Sequence, residues 1–133
     1  MKKVVVCGAF DPLHLGHVRL LKKAKERGRL YVVVARDGNI RGIKRREPFY
    51  TEKERMEFLK EMRCVDEVVL GEKSDLLSVL RRIKPDVVVL GYDQKADLPA
   101  IRRAAPKALV VREKRLSRHK SSEKRKVIRW ERY

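Results

Sequence analysis

The stretch Val4–His17, VVVCGAFDPLHLGH, decides the fold of this chain. Its apolar start predicts a strand, and the pattern that begins at His17 predicts an amphipathic helix, so a strand turns directly into a helix. His14 and His17 stand three residues apart at this turn, which places both imidazoles on one helical face. Backbone N–H groups and the positive end of the helix dipole favour phosphate there. The stretch therefore predicts a phosphate-binding site behind the first strand.

Two glycines belong to the same interpretation. Gly8 and Gly16 lack side chains at the turn, and we expect them to let a nucleotide approach the backbone. The imidazoles can donate hydrogen bonds to phosphate oxygens and stabilise the charge that develops on phosphorus during transfer. A metal site is the alternative for the histidines, but it needs further ligands. Only His119 and carboxylates are available for that, so phosphate binding is favoured.

Short β-branched runs alternate with helical patterns along the rest of the chain. Strands are predicted at residues 4–8, 30–35, 65–70, 87–90 and 109–111. Helices are predicted at residues 17–27, 51–62, 74–83, 98–104 and 122–132. Gly28 is a stop signal, Thr51 and Glu54 form a capping box, and Ser74 is a further N-cap. The basic stretch 36–48 has no periodicity and is predicted to be a loop.

This alternation predicts an α/β fold. Right-handed βαβ units build a Rossmann-like, doubly wound, mostly parallel five-stranded sheet with helices on both faces. Residues 1–133 are assigned to one domain. Ligands bind such a sheet at the carboxyl ends of its strands, near the point where the strand order reverses. The two histidines and the segment Gly91-Tyr92-Asp93-Gln94 both follow strand ends, and we expect them to share one crevice.

Composition places the chain among folded, reduced proteins. The apolar fraction of 43% argues against disorder, and no apolar run approaches the roughly 20 residues of a membrane helix. No secretory leader precedes the first strand, which favours a cytoplasmic location without membrane attachment. Cys7 and Cys64 stand in or beside apolar runs, so we expect both to be buried thiols.

The formal net charge of +17 is unusual, with 35 Lys and Arg against 18 Asp and Glu. A nucleic-acid partner would explain it, because basic side chains neutralise phosphates. A charge-rich surface adapted to heat is the alternative, and anionic substrates account for only part of the excess. Near the end of the chain, Trp130 and Tyr133 either stack on RNA bases or pack a helix onto the sheet, and we favour packing.

Other side chains near the predicted crevice have two interpretations each. The Asp11 carboxylate either holds a magnesium ion or anchors the turn by accepting backbone N–H bonds. Phe10 is expected to pack rather than to contact a substrate. The four cations of Arg41–Arg46, RGIKRR, are either solvated surface or bind a triphosphate, and Lys44 is the favoured phosphate ligand.

Two later segments add polar groups. Gly91 allows close approach of a backbone, while Asp93 and Gln94 either read a base or cap the loop. Ser121 and Ser122 precede the last predicted helix, where hydroxyls and N–H groups form either a second phosphate cradle or a plain N-cap.

The turn around His14-Leu15-Gly16-His17 resembles the HxGH signature of the nucleotidyltransferase superfamily, in its cytidylyltransferase-like branch. The chain is most similar to archaeal-type FAD synthases, on the segments Val34–Asp37 and Lys84–Gln94 and on the pair Ser121-Ser122 behind His119. Of the superfamily's Ile-Ser-Ser/Thr-Thr element only the paired serines are present. Glycerol-3-phosphate cytidylyltransferases are the nearest rivals, but they carry Gly-Asp-Asp-Trp in place of residues 91–94 and an Arg-Thr-Glu-Gly element that is absent here.

The resemblance implies transfer of AMP from ATP to the phosphate of FMN, which gives FAD and pyrophosphate, with magnesium or another divalent cation as cofactor. Catalytic roles fall on His14 and His17, at the bridging and β-phosphate oxygens, and on Lys44 at the triphosphate. The implied nucleotide-binding residues are Ala9, Phe10, His14, His17, Arg55, Gly91, Asp93, Ser121 and Ser122. Arg55 matches an arginine of the family; an exposed helical arginine is the alternative. A homodimer is a further expectation.

Two other functions stay open from the sequence. One is glycerol-3-phosphate cytidylyltransferase activity with CTP, which would use the same site roles. The other is a non-catalytic RNA-binding module that retains the fold and uses the basic surface.

Overall fold

Strands and helices alternate along the chain, as the sequence predicts. The computed structural model describes residues 1–73, 77–92 and 94–114. The strands are β1 Lys3–Gly8, β2 Arg29–Val34, β3 Glu67–Leu70, β4 Val87–Leu90 and β5 Leu109–Arg112. The helices are α1 Leu15–Lys25, α2 Asp37–Lys44, α3 Glu52–Lys60, α4 Leu77–Ile83 and α5 Leu98–Ala104. The expected N-cap Ser74 and the expected helix 122–132 lie outside the described residues.

All five strands run parallel, in the order β3-β2-β1-β4-β5. From β1 the chain moves outward through β2 to β3, and then returns to the other side of β1 to form β4 and β5. The strand order therefore reverses between β1 and β4, and their carboxyl ends flank the point where such sheets bind ligands. The predicted α/β, Rossmann-like sheet is confirmed.

Apolar side chains cover both faces of this sheet, because successive residues of a strand point to opposite sides. On one face, Val4 and Val6 of β1 pack in a cluster with Leu21 of α1 and Leu59 of α3. On the other face, Val5 packs in a cluster with residues of α4 and α5, including Val79, Leu80, Ile101 and Ala104. Helices thus cover both faces. No helix in the described part of the chain is long and apolar enough to cross a membrane.

The basic segment 36–48 differs from the prediction, because residues Asp37–Lys44 form the helix α2. Ile40 is its one buried residue, so the apolar pattern is too sparse to show a helical period. An acidic residue in the first turn and basic residues in the last turn stabilise the helix through favourable interactions with its dipole. Arg45 then adopts a left-handed conformation, with φ 53°, and ends the helix.

The local signals at the ends of α1 and α3 act as expected. Gly28 follows α1 with φ +154°, and a Cβ atom there would overlap the carbonyl oxygen of Lys2, so only glycine fits. At α3, the Glu54 N–H donates to Thr51 Oγ1 over 3.2 Å and the Thr51 N–H donates to Glu54 Oε1 over 3.0 Å. The capping box is therefore confirmed.

Both cysteines are free thiols, as the sequence predicts, but each is partly buried and not fully buried as expected. Burial raises the pKa of the Cys7 thiol to about 12 and also raises the pKa of Cys64. Neither side chain has the lowered pKa that marks a reactive thiolate.

Candidate functional site

The loop that follows β4 is joined by a hydrogen bond to the carboxyl end of β1. The Gln94 side-chain amide donates to the carbonyl of Cys7 over 3.0 Å, and its oxygen accepts from the N–H of Gly91 over 3.1 Å. Arg112 holds the same loop, since it donates to the carbonyls of Gly91 and Gln94 over 2.8 and 2.7 Å. Gln94 therefore caps its loop and ties it to the end of β1, while the shared crevice stays a prediction.

The two histidines form a stacked pair in the segment Ala9–His17, which we call the histidine turn. Their ring centroids are 3.7 Å apart and the ring planes differ by 26°. His14 is the N-cap of α1, and its Nδ1 accepts from the N–H of Gly16 over 3.1 Å. The Nδ1 of His17 accepts from the N–H of His14, also over 3.1 Å. Because both Nδ1 atoms accept backbone N–H groups, the ring donors of the pair are at Nε2, with an orientation set by the backbone at the start of α1.

The two glycines make room for the protein's own rings, while nucleotide approach at these positions stays a prediction. A Cβ atom on Gly16 would lie 2.9 Å from Cε1 of His14, and one on Gly8 would lie 3.1 Å from the ring of Phe10. The Phe10 ring is buried and meets His17 edge-on at 5.2 Å, so its expected packing role is confirmed. With φ 52°, Phe10 adopts a backbone conformation that is strained for a bulky residue.

The Asp11 carboxylate anchors the histidine turn. Its side chain is fully buried and accepts hydrogen bonds from the N–H of Phe49 (2.8 Å), the N–H of Tyr50 (2.9 Å) and Arg46 Nη1 (2.9 Å). Arg46 also donates to the carbonyl of Asp11 over 2.6 Å. Burial raises the pKa of Asp11, but the hydrogen bonds and the Arg46 charge lower it by more. Its pKa therefore lies below the ordinary value.

Of the two roles expected for Asp11, these contacts show the anchoring one, and the magnesium role stays a prediction. A cation would have to displace the Arg46 guanidinium, which already pairs with the carboxylate. Among the described residues, no group of three or more His, Cys, Asp or Glu side chains is placed to hold a metal. Within the described part of the chain, the Asp11 carboxylate is thus paired with Arg46 and with backbone N–H groups.

Arg46 of the RGIKRR segment lies at the histidine turn, where it pairs with Asp11, and the expected role of Lys44 as phosphate ligand stays a prediction. Lys44 is the last residue of α2 and is exposed, and it makes no ion pair with any described residue. Four neighbouring cations look alike in sequence, so spacing does not reveal which of them pairs with Asp11. The guanidinium of Arg46 also covers the ring of Phe49, 4.8 Å from the ring centroid.

Arg55 is fully buried, which contradicts both the nucleotide-contact and the exposed-surface expectation. Its Nη1 donates to the carbonyls of Ala9 (2.9 Å) and Ala35 (2.7 Å), Nη2 donates to Asp37 Oδ1 (2.6 Å) and Nε donates to the carbonyl of Tyr50 (3.1 Å). One guanidinium thus ties together the segments that follow β1 and β2 and the start of α3. Ala9 takes part through its carbonyl, and its expected nucleotide contact stays a prediction.

Gly91 has space around it. A Cβ atom there would lie 3.7 Å from Leu20 and 3.8 Å from Gln94, which is ordinary contact, so the protein's own packing does not demand glycine. The remaining expected site residues, Asp93, His119, Ser121 and Ser122, lie outside the described residues, as do Trp130 and Tyr133.

Comparison with known proteins gives a consistent family. Residues 5–131 match the model of the cytidylyltransferase-like family. The chain is 48% identical to an FAD synthase of Korarchaeum cryptofilum, over 72% of this chain and 67% of that protein. It is 42% identical to an FAD synthase of Ferroglobus placidus, over 84% of this chain and 76% of that protein. It is 38% identical to an FAD synthase of Methanothermobacter marburgensis, over 92% and 79%.

Two solved structures have the same fold. The first is described as a lipopolysaccharide core biosynthesis protein from Thermoplasma volcanium, with a TM-score of 0.80, 36% identity, and coverage of 88% of this chain and 99% of that one. The second is a protein of unknown function from Archaeoglobus fulgidus, with a TM-score of 0.69, 20% identity, and coverage of 89% and 93%. At that identity the second structure bears on the fold alone.

Proposed function

The chain belongs to the cytidylyltransferase-like family, and we propose that it transfers AMP from ATP to FMN, giving FAD and pyrophosphate. The names of its relatives supply the substrates: the similar proteins from three archaea are FAD synthases. The stacked histidine pair is the structural observation that carries the proposal. Two ring N–H donors with fixed orientation suit the anionic oxygens of a triphosphate.

The reaction needs no side-chain nucleophile. An oxygen of the FMN phosphate attacks the α-phosphorus of ATP, and the bond from that phosphorus to the bridging oxygen breaks. The bond electrons leave with pyrophosphate, in line with the attacking oxygen. We assign His14 and His17 to the bridging and β-phosphate oxygens, where negative charge increases as the bond breaks. Catalysis then consists of positioning and of electrostatic stabilisation.

Three charged residues around the pair, of which Asp11 and Arg55 are buried, position it. Asp11 and Arg46 hold the segment in front of His14, and Arg55 holds Ala9. We keep Lys44 as a proposed triphosphate ligand, Gly91 and Asp93 as proposed nucleotide contacts, and Ser121 and Ser122 as proposed contacts of the pyrophosphate end. A homodimer and a cytoplasmic location likewise stay predictions.

The divalent cation is proposed as a partner of the nucleotide. The described residues offer no protein-built site for it, and magnesium is commonly bound through substrate phosphates and few protein ligands. We therefore expect chelation with EDTA to abolish turnover while leaving the thermal unfolding of the free protein unchanged.

The test is an incubation of the purified protein with magnesium and each pairing of ATP or CTP with FMN or glycerol-3-phosphate. Chromatography follows pyrophosphate and the nucleotidylated product. We expect FAD from ATP with FMN and no product from the other pairings. CDP-glycerol as the product would contradict the proposal and assign the same site to the rival reaction.

A further inference from the structure

An exposed apolar pocket adjoins the histidine turn and has no role in the mechanism above. It is lined by Pro12, Leu13, Tyr50, Phe58 and Glu61 and has a volume of about 390 Å³. Tyr50 and Phe58 keep 39% and 42% of their surface exposed, and their rings meet edge-on at 5.0 Å. Aromatic surface is costly to leave in water, so a pocket of this kind is a candidate ligand site.

The pocket is continuous with the histidine turn. Pro12 and Leu13 lead directly into His14. The backbone of Tyr50 is held on both sides, because its N–H donates to Asp11 and its carbonyl accepts from Arg55. The buried groups that fix the histidine turn therefore fix one wall of the pocket as well.

We propose that this pocket binds the isoalloxazine ring of FMN, an inference that rests on the proposed function. The ring is flat and aromatic, so its faces suit Tyr50, Phe58 and the apolar side chains of Pro12 and Leu13. Its rim carries an imide N–H, which can donate to the Glu61 carboxylate. The ribityl chain then extends past Leu13, so that the phosphate meets the α-phosphorus of ATP opposite the departing pyrophosphate.

Strand order separates this pocket from the expected nucleotide side. The pocket is built from the segment after β1 and from α3, which lies on the β2 side of β1. The Gly91 loop follows β4, on the opposite side of β1. The histidine pair stands at the end of β1, between the two. FMN thus approaches the α-phosphorus of ATP from the α3 side, while the adenosine lies on the β4 side. The flavin ring and the adenine therefore do not compete for one site.

Riboflavin fluorescence tests this inference without ATP and without turnover. Riboflavin has the ring but no phosphate, and stacking on an aromatic side chain quenches its emission. We expect saturable quenching by the wild-type protein, binding roughly tenfold weaker for Phe58→Ala, and an intermediate loss for Phe58→Leu, which keeps apolar volume but removes the aromatic face. Leu109→Ala removes a different exposed apolar side chain, on β5, and should bind as the wild type does.

Other outcomes overturn the inference. Equal riboflavin affinity for Phe58→Ala and the wild type would show that the flavin ring does not bind in this pocket. Displacement of riboflavin by AMP would show the same. A lower sedimentation mass for Phe58→Ala, with unchanged riboflavin affinity, would show that a second copy of the chain covers this surface. Absence of FAD formation by a protein whose riboflavin binding depends on Phe58 would refute the proposed reaction and leave the flavin pocket standing.

Discussion

At the residue scale, the backbone of α1 sets the orientation of both imidazoles. The Nδ1 atoms of His14 and His17 accept N–H groups of the first helical turn, and Gly16 leaves the space in which the His14 ring lies. The sequence predicted this pair because its two members are close in the chain and follow a strand. It did not show that the His14 ring needs the space at Gly16, because that contact depends on the rotamer of the ring.

Gly16→Ala should displace the His14 ring. The new Cβ would lie 2.9 Å from Cε1 and 3.0 Å from Nδ1, so the ring must shift. Misplacement on this scale lowers turnover by roughly tenfold to a hundredfold, while alanine should not destabilise the helix. Gly42→Ala, in a helix with nothing within 4 Å of the added atom, is the matched control. Equal FAD formation rates for the two variants would refute the positioning role of Gly16.

The lowered pKa of Asp11 predicts that the free energy of unfolding falls at low pH. Its pKa is lowered in the folded protein, so its contribution to stability is fully present above the unfolded value of about 4 and is lost as the pH falls through the lowered value. Urea unfolding of Asp11→Asn should therefore lose less stability between neutral pH and low pH than the wild type does. Glu26→Gln removes one exposed ion pair and should follow the wild-type profile. Parallel profiles for Asp11→Asn and the wild type would contradict this account.

At the scale of elements, the sequence predicted the strands, but it did not predict the contacts that connect one element to another. Valine-rich runs predicted all five strands, because a strand covered on both faces is apolar at successive positions. The helix α2 was not predicted, because a single buried residue, Ile40, gives no helical period. The buried position of Arg55 was not predicted, because its acceptors are the backbone carbonyls of Ala9 and Ala35. These residues are far away in the chain, and no spacing pattern reveals them.

Arg55→Ala should destabilise the whole carboxyl edge of the sheet. It leaves three backbone carbonyls and the Asp37 carboxylate without their donor, and the arginine is fully buried. Loss of one partner of such a buried pair costs about 3–5 kcal/mol of unfolding free energy, measured by urea unfolding. Arg41→Ala, which removes an exposed pair with Glu47, should change it by less than about 1 kcal/mol. A similar small effect at Arg55 would show that the guanidinium does not hold these segments.

At the scale of the whole molecule, the charge of +17 is the feature that the proposed function explains least. Two anionic substrates need a few cations at one edge of the sheet, and the basic residues are far more numerous. Several of them are used internally, as the contacts of Arg36, Arg46, Arg55 and Arg112 show. Their number could be read from composition, but their division between structure and surface could not.

A protein that uses this charge for solubility and stability, not for RNA recognition, should bind a short RNA only weakly. We expect detectable binding in low salt, a steep fall with increasing salt, and none near physiological ionic strength. Fluorescence anisotropy of a labelled RNA measures this, and FAD formation in the presence of the same RNA is the companion assay. Saturable binding at physiological salt would favour an RNA-binding role.

The central claim is that the histidine turn transfers AMP to FMN, and the most direct measurement uses ATP labelled on its α-phosphate. With wild-type protein, FMN and magnesium, we predict that the label appears in FAD. His17→Ala should form labelled FAD about a hundredfold or more slowly, as expected for the loss of one transition-state donor, whereas Leu15→Ala, an exposed neighbour on α1, should retain the rate. Label that stays in ATP with the wild-type protein, or FAD formed at a near-normal rate by His17→Ala, would contradict the claim.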